Sequence, residues 1–329
     1  MDPWGNIVVV ENGEWQRYYW QWAGRRMLDM LVGGPDLARR HIGAIERCAE
    51  GDWTDPFLCS GGAVIDFDRM RLLFFGDDLM MQMPLRRALL DVLTDVWDGY
   101  EVGWAYDGMI ELAGYVGEEL PPVRHEWATP LTVARDRNYL CQLVSVVGSD
   151  GTLRMWPLTP YSHPASLGPQ LVDSLPGRGV KKVALRTIPA GGVHVDLLRK
   201  LVGVWSAGET PEAFDGLAQV WSGWTVDRWE DCYEEQVARC GGAMRVPALN
   251  LKAGIGSALE LIRERLFHCR WDGPAAEALS LAEALSRAAP GFAVSPGAVL
   301  DGLIGPNEDE WGRFVGACES LRLIYTQTA

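Results

Sequence analysis

Residues 96–117 read VWDGYEVGWAYDGMIELAGYVG, and residues 220–241 read VWSGWTVDRWEDCYEEQVARCG. They align without a gap at an offset of 124 (220 − 96). Identities fall at Val96/Val220, Trp97/Trp221, Gly99/Gly223, Val102/Val226, Asp107/Asp231, Glu111/Glu235 and Gly117/Gly241, and Tyr100 matches Trp224 as an aromatic. A repeated Val-Trp-x-Gly followed by a β-branched residue, a buried-type acid and a closing glycine reads as a turn, a short strand and a helix, written twice.

Working outward, the preceding landmarks recur in the same order. Asn12-Gly13 divides two β-rich runs in IVVVENGEWQRYYWQW (7–22), and Asp150-Gly151 does so in LVSVVGSDGTLRMWPL (143–158), at an offset of 138 (150 − 12). Such dipeptides between alternating apolar runs are strong hairpin signals. A helix is expected after each, over 35–48 and 168–175. Second hairpins are expected at Ala63–Phe75, turning near Asp68-Arg69, and at Val180–Val195, turning near Ala190-Gly191-Gly192. Further helices are expected over 84–97 in the first half, and over 194–205 with 211–221 in the second.

The sequence therefore predicts an α+β protein of two tandem duplicated ββαββαβα-like units, 1–120 and 126–245, related by a pseudo-two-fold. The run Glu118-Glu119-Leu120-Pro121-Pro122 marks the seam. A helical region, 250–329, follows. In it Ser257–Arg270 and Pro274–Ala289 read as helices, and Asn307 reads as an N-cap ahead of Glu308-Asp309-Glu310, on a last helix ending before Tyr325.

Composition narrows the function classes. The 329 residues are 48% hydrophobic and 22% charged, as in a globular chain that buries its own core. Lys+Arg is 30 against Asp+Glu 44, so the formal charge is −14. That charge repels phosphate backbones and anionic lipid, which argues against nucleic acid and membrane as partners. The N-terminus shows no signal-peptide pattern and no run approaches a spanning length. The cysteine count is 7, odd and without a CxxC pair, which fits reduced thiols and a cytoplasmic location. The histidines lack metal-ligand spacing, so neither a metal nor a cofactor is expected.

Several residues carry chemistry worth locating. Asp107/Glu111 and Asp231/Glu235 each place two carboxylates four apart on one helix face, either as helix caps or, converging about a two-fold, as an acid–base or cation site. Asp231 and Glu235, with His163 and His194, are the candidate catalytic residues. Trp224, Trp229 and Tyr161 are candidate ligand-binding residues, because indole and phenol rings stack on flat ligands and keep one polar handle. Trp15, Trp20 and Trp22 form a second aromatic cluster. Asn250–Ser257 opens a helix with two glycines and a lysine, weakly phosphate-like, with Ser257 as the alternative cap. Cys59-Ser60-Gly61-Gly62 reads as a turn into a strand, Asp66 and Asp68 as turn chemistry, and the Tyr161–Ser166 loop as a polar connection able to move protons.

The expectation that follows is an acidic intracellular interaction or regulatory protein, of the immunity or accessory kind, binding a basic protein partner. The alternative is an enzyme of small-molecule metabolism with its site in a cleft between the duplicated units; a ligand-free scaffold is the third possibility. The sequence sets neither the partner nor the oligomeric state.

Overall fold

A computed structural model describes residues 4–49, 53–120, 131–135, 141–160, 163–208, 214–268 and 304–327. It is a mixed α+β protein with two multistranded mixed sheets and a helical C-terminal segment. The chain divides into unit one, Met1–Glu119 with Asn250–Ala329, and unit two, Leu120–Leu249.

In unit one, β1 (Gly5–Glu11) and β2 (Glu14–Trp20) form the first hairpin. Helices α1 (Ala23–Leu31) and α2 (Pro35–Ile42) and the short β3 (Glu46–Arg47) lead to a second hairpin, β4 (Gly61–Asp66) and β5 (Arg71–Phe75). Next come α3 (Met83–Val96), β6 (Glu101–Trp104) and α4 (Met109–Tyr115). Every residue of β4 is buried, the pattern of a central strand covered on both faces. α3 buries Leu85, Ala88, Leu89, Val92 and Val96 at three- and four-residue spacing, one face of a helix.

Two C-terminal helices belong to this unit: α8 (Leu251–Arg263, numbered after those of unit two) and α9 (Glu308–Gln327) pack on α3 and on each other. A Cβ on Gly254 would lie 2.9 Å from the Pro84 carbonyl oxygen, so the α8–α3 crossing needs a glycine there. Ile255, Ala258, Ile262, Phe314 and Cys318 fill the layer. Two ionic contacts fasten it. Arg40 of α2 grips buried Glu310 through two hydrogen bonds of 2.6 and 2.8 Å. Arg265, in the π turn that ends α8, reaches Asp77 at 2.9 Å and Asp29 at 2.6 Å. The Leu28 amide also donates to Asp77 (3.0 Å), and Arg26 to Asp29 (2.6 Å). Burial pushes the Asp77 carboxyl up, and Arg265 opposes that rise.

Unit two runs β7 (Gln142–Val147), β8 (Leu153–Leu158), a 3-10 stretch (Pro164–Gln170), α5 (Leu171–Ser174), β9 (Val183–Ala184), β10 (Gly191–Asp196), β11 (Leu201–Ser206), α6 (Leu217–Val220), β12 (Thr225–Arg228), α7 (Tyr233–Arg239) and β13 (Met244–Arg245). Its sheet order is β8-β7-β10-β11-β12, and unit one holds β2-β1-β4-β5-β6 with one more edge strand, β3. Pair by pair the directions agree: antiparallel, parallel, antiparallel, parallel. β9 and β13 form a separate two-stranded parallel sheet.

The recurring residues do matching jobs. The Trp97 indole donates to the Leu31 carbonyl at 2.9 Å, and the Trp221 indole to the Ala165 carbonyl at 2.8 Å. Gly34 (φ +81°) brings its backbone against the Val96 oxygen, and Gly168 (φ +60°) does so against Val220; a Cβ would crowd either. Tyr100 and Trp224 each stand edge-on to their tryptophan with centroids 5.1 Å apart. Asp66 caps its hairpin turn by accepting from the Asp68 and Arg69 amides, and Asp196 accepts from Leu198 and Arg199.

Some local expectations are corrected. Residues 194–205 are strands, not helix, and the second hairpin of unit two turns at Leu197–Lys200 rather than at Ala190–Gly192. Gly191-Gly192 opens β10, and the Asp196 cap fixes the turn after it. α2 ends at Ile42, well short of 48. In place of a helix over 211–221, the described residues hold only α6. Asn250, not Ser257, caps α8, accepting from the Ala253 amide at 3.0 Å. α9 continues past Tyr325, and Asn307 with Glu310 forms the expected cap reciprocally, at 2.9 and 2.8 Å. Pro274–Ala289 lies outside the described residues.

Candidate functional site

The clearest cluster of titratable and polar side chains lies on the face of unit two's sheet beneath α7. Ser145 on β7 and His194 on β10 are neighbours across a parallel pair, and α7 lays Gln236 over them. Ser145 Oγ stands 2.9 Å from His194 Nδ1. Gln236 Nε2 is 2.9 Å from Ser145 Oγ, 2.9 Å from the Leu143 oxygen and 3.0 Å from the Val193 oxygen. The Trp205 indole donates to Gln236 Oε1 at 2.7 Å. Gln236 donates a hydrogen bond to Ser145 Oγ, and Ser145 and His194 Nδ1 share one more, whose direction follows the imidazole tautomer. Burial, with the Arg239 cation adding to it and Asp196 opposing, pulls the His194 pKa down from 6.5 to about 4. The ring is neutral at neutral pH. Ser145 is 0% and His194 2% exposed, so both partners of this bond lie within the core. Trp229 lies beside His194, its ring over Gly203, where a side chain would find no room.

The matching place in unit one is apolar. By register Val8 stands where Ser145 does, Val64 where His194 does and Phe75 where Trp205 does, and the repeat puts Leu112 at Gln236. All four are buried there.

The acid pairs lie at the starts of α4 and α7, but neither aspartate is the helix cap expected of it. Asp107 and Asp231 are buried, each one residue before the N-cap positions, which are Gly108 and Cys232. Glu111, in the first turn of α4, reaches back to accept from the Asp107 amide at 3.1 Å. Glu235 takes the same position on α7 and is exposed. Trp224 is half-buried against Trp221. His163 precedes the 3-10 stretch and is exposed. Tyr161 lies outside the described residues. Cys59 is buried, its thiol donating to the Gly61 carbonyl at 3.2 Å. Among the described residues no three His, Cys, Asp or Glu side chains are grouped to hold a metal ion, and no helix is long and apolar enough to cross a membrane.

A second feature lies on unit one. Trp15, Arg17 and Tyr19 alternate along one face of β2. The Arg17 guanidinium lies 4.6 Å from the centre of the Trp53 ring, Trp53 packs on Trp15 at 6.2 Å, and Trp4 stands edge-on to Tyr19 at 6.1 Å. Trp15 is 36% and Trp4 43% exposed. Unit two places Leu153, Met155 and Pro157 at the corresponding positions of β8. There Leu153 and Met155 join a core with Val183 of β9, Leu185 and Met244 of β13.

Charge divides unevenly between the units. Unit one holds 31 acidic and 17 basic residues, a balance of 17 − 31 = −14, whereas unit two holds 13 of each. Ser145, Gln236 and Arg17 carry no motif. Alternation along β2 places Arg17 beside Trp15, but only the fold brings Trp53 onto it.

No protein-family model, no curated protein and no solved structure matches the chain.

Proposed function

We propose that the chain is an acidic cytoplasmic interaction or regulatory protein whose unit one binds a basic protein partner, and that the two units descend from one duplicated ββαββαβα module. The location of the charge carries this reading. Two units with one strand order differ by the entire net charge of the molecule, all of it on unit one. A field confined to one unit steers an oppositely charged partner to that unit and speeds association. Exposed Trp4 and Trp15 on the same unit supply the large amphipathic rings that anchor interfaces. Duplication is supported by the shared strand order, the paired Gly–Val and Trp–carbonyl contacts, and the repeated residues.

The test is capture from lysate on the immobilised full chain at 50 and 300 mM salt, which shortens the screening length by a factor of about 2.4. The expected result is a basic protein retained at low salt and released at high salt. Retention that ignores salt, or no basic protein among those retained, overturns the reading.

A further inference from the structure

We infer that the β2 face of unit one, from Trp15 to Trp4, is the docking surface itself, and that it takes arginine or lysine side chains of a protein partner against its indole rings. This inference rests on the function proposed above and names the surface and the contact chemistry.

Three observations carry it. First, the equivalent face of unit two is closed by its own chain: Leu153 and Met155 pack under β9 and β13. Among the described residues unit one has no counterpart of the β9–β13 pair, and Trp15 and Trp4 stay more than a third exposed. One of two faces of the same design is covered from within, and the other is left with aromatic side chains in its place. Second, the face already holds a cation in the proposed manner. Arg17 is buried beneath Trp53, guanidinium over ring, at 4.6 Å. Trp15 extends that stack on to solvent, so a guanidinium on its outer side repeats a contact the protein itself makes. Third, the rim is acidic. Glu46 of β3 is paired with Tyr19 and so shares its face, and it is exposed, on the unit that bears the whole charge of −14. Aromatic faces and carboxylates together select cations; an anionic or purely apolar occupant would meet repulsion or leave the acids uncompensated.

The experiment uses the full chain with 15N-labelled indoles and three probes: nona-arginine, nona-lysine and nona-glutamate. Indole N–H signals are assigned through neighbouring backbone amides, so no variant is needed for this readout. The expected result is that the cationic peptides shift the Trp4, Trp15 and Trp53 signals and leave buried Trp205 and Trp221 in place, while nona-glutamate shifts none. Trp4→Ala/Trp15→Ala should weaken nona-arginine binding about tenfold, roughly threefold for each ring. Trp15→Phe should keep most of the affinity, which separates loss of the ring from loss of fold. If the cationic peptides bind but shift only other indoles, or if the double variant binds as the parent does, the docking surface is wrong and the basic-partner reading stands. If they bind no better than nona-glutamate, both fall.

Discussion

Beneath α4 of unit one, four side chains meet as hydrocarbon: Val8, Val64, Phe75 and Leu112. Beneath α7 of unit two the same four positions are Ser145, His194, Trp205 and Gln236, joined by hydrogen bonds of 2.7–2.9 Å. One backbone plan therefore accepts two chemistries at its centre. Apolar packing tolerates exchange within limits of volume, whereas a buried polar group is stable only when each partner is present. Unit two has committed to a set of residues that works together or not at all. Unit one puts its polar interior elsewhere, in the Arg265–Asp29–Asp77 cluster that ties the last part of α8 to α1.

The sharpest way to break this comparison is to strip the charged cluster. Arg265→Met leaves Asp77 buried without its cation and should cost unit one about 4 kcal/mol, the loss typical of one partner of a buried pair. Denaturant unfolding should show it as a lowered midpoint for unit one, with the transition of unit two unmoved. Acid is the next lever, and it acts on unit two. The folded pKa of His194 is about 4 against 6.5 for the free side chain, so between those values the unfolded chain binds more protons. The stability this site contributes is full above pH 6.5 and is lost as pH falls toward 4, about 3 kcal/mol in all. His194→Val, the unit-one residue, should remove that slope in a pH series of melting curves; an unchanged slope would place the acid sensitivity elsewhere.

A smaller effect should come from Gln236→Leu alone. It orphans the Trp205 indole and takes one of its partners from Ser145, for a loss of about 2 kcal/mol. Completing the exchange with Ser145→Val, His194→Val and Trp205→Phe should recover most of it. Recovery would show that the network acts as one unit; further loss would show that the surroundings have also diverged. The mildest probe concerns a turn. Asp68 accepts from the Asn12 and Gly13 amides at 2.9 and 2.8 Å, linking the two hairpins of unit one, and these contacts hold its carboxyl below the usual carboxylate range. Asp68→Ala should speed hydrogen exchange at those two amides with little effect elsewhere.

Much of the architecture was readable in residues with a local job. Asn12-Gly13 and Asp150-Gly151 marked hairpins, Asn307 marked a cap, and the repeated Val-Trp-x-Gly marked the shared crossing from helix to strand. What misled was Gly191-Gly192, which looks like a turn. Its reason is tertiary: Gln236 and Trp205 press on Gly192 and leave no space for a Cβ. The polar network was half legible. His194 stood out by residue type, but Ser145 lies 49 residues away and Gln236 lies 42 away. Only strand register and the seating of α7 unite them. Arg17 was likewise invisible as a stacking cation, because its partner Trp53 comes from the loop before β4.

The ranges of the two units carry a last consequence for biosynthesis. Unit two is one uninterrupted length of chain, 120–249, while unit one waits for α8 and α9 from the far side of it. On the ribosome the second unit has all its residues before the first does. Until then the apolar side of α3 that those helices will cover is exposed and prone to association in the nascent protein. Synthesis thus finishes in the middle before it finishes at the beginning, and a stalled or truncated product would hold a closed unit two beside an uncovered unit one.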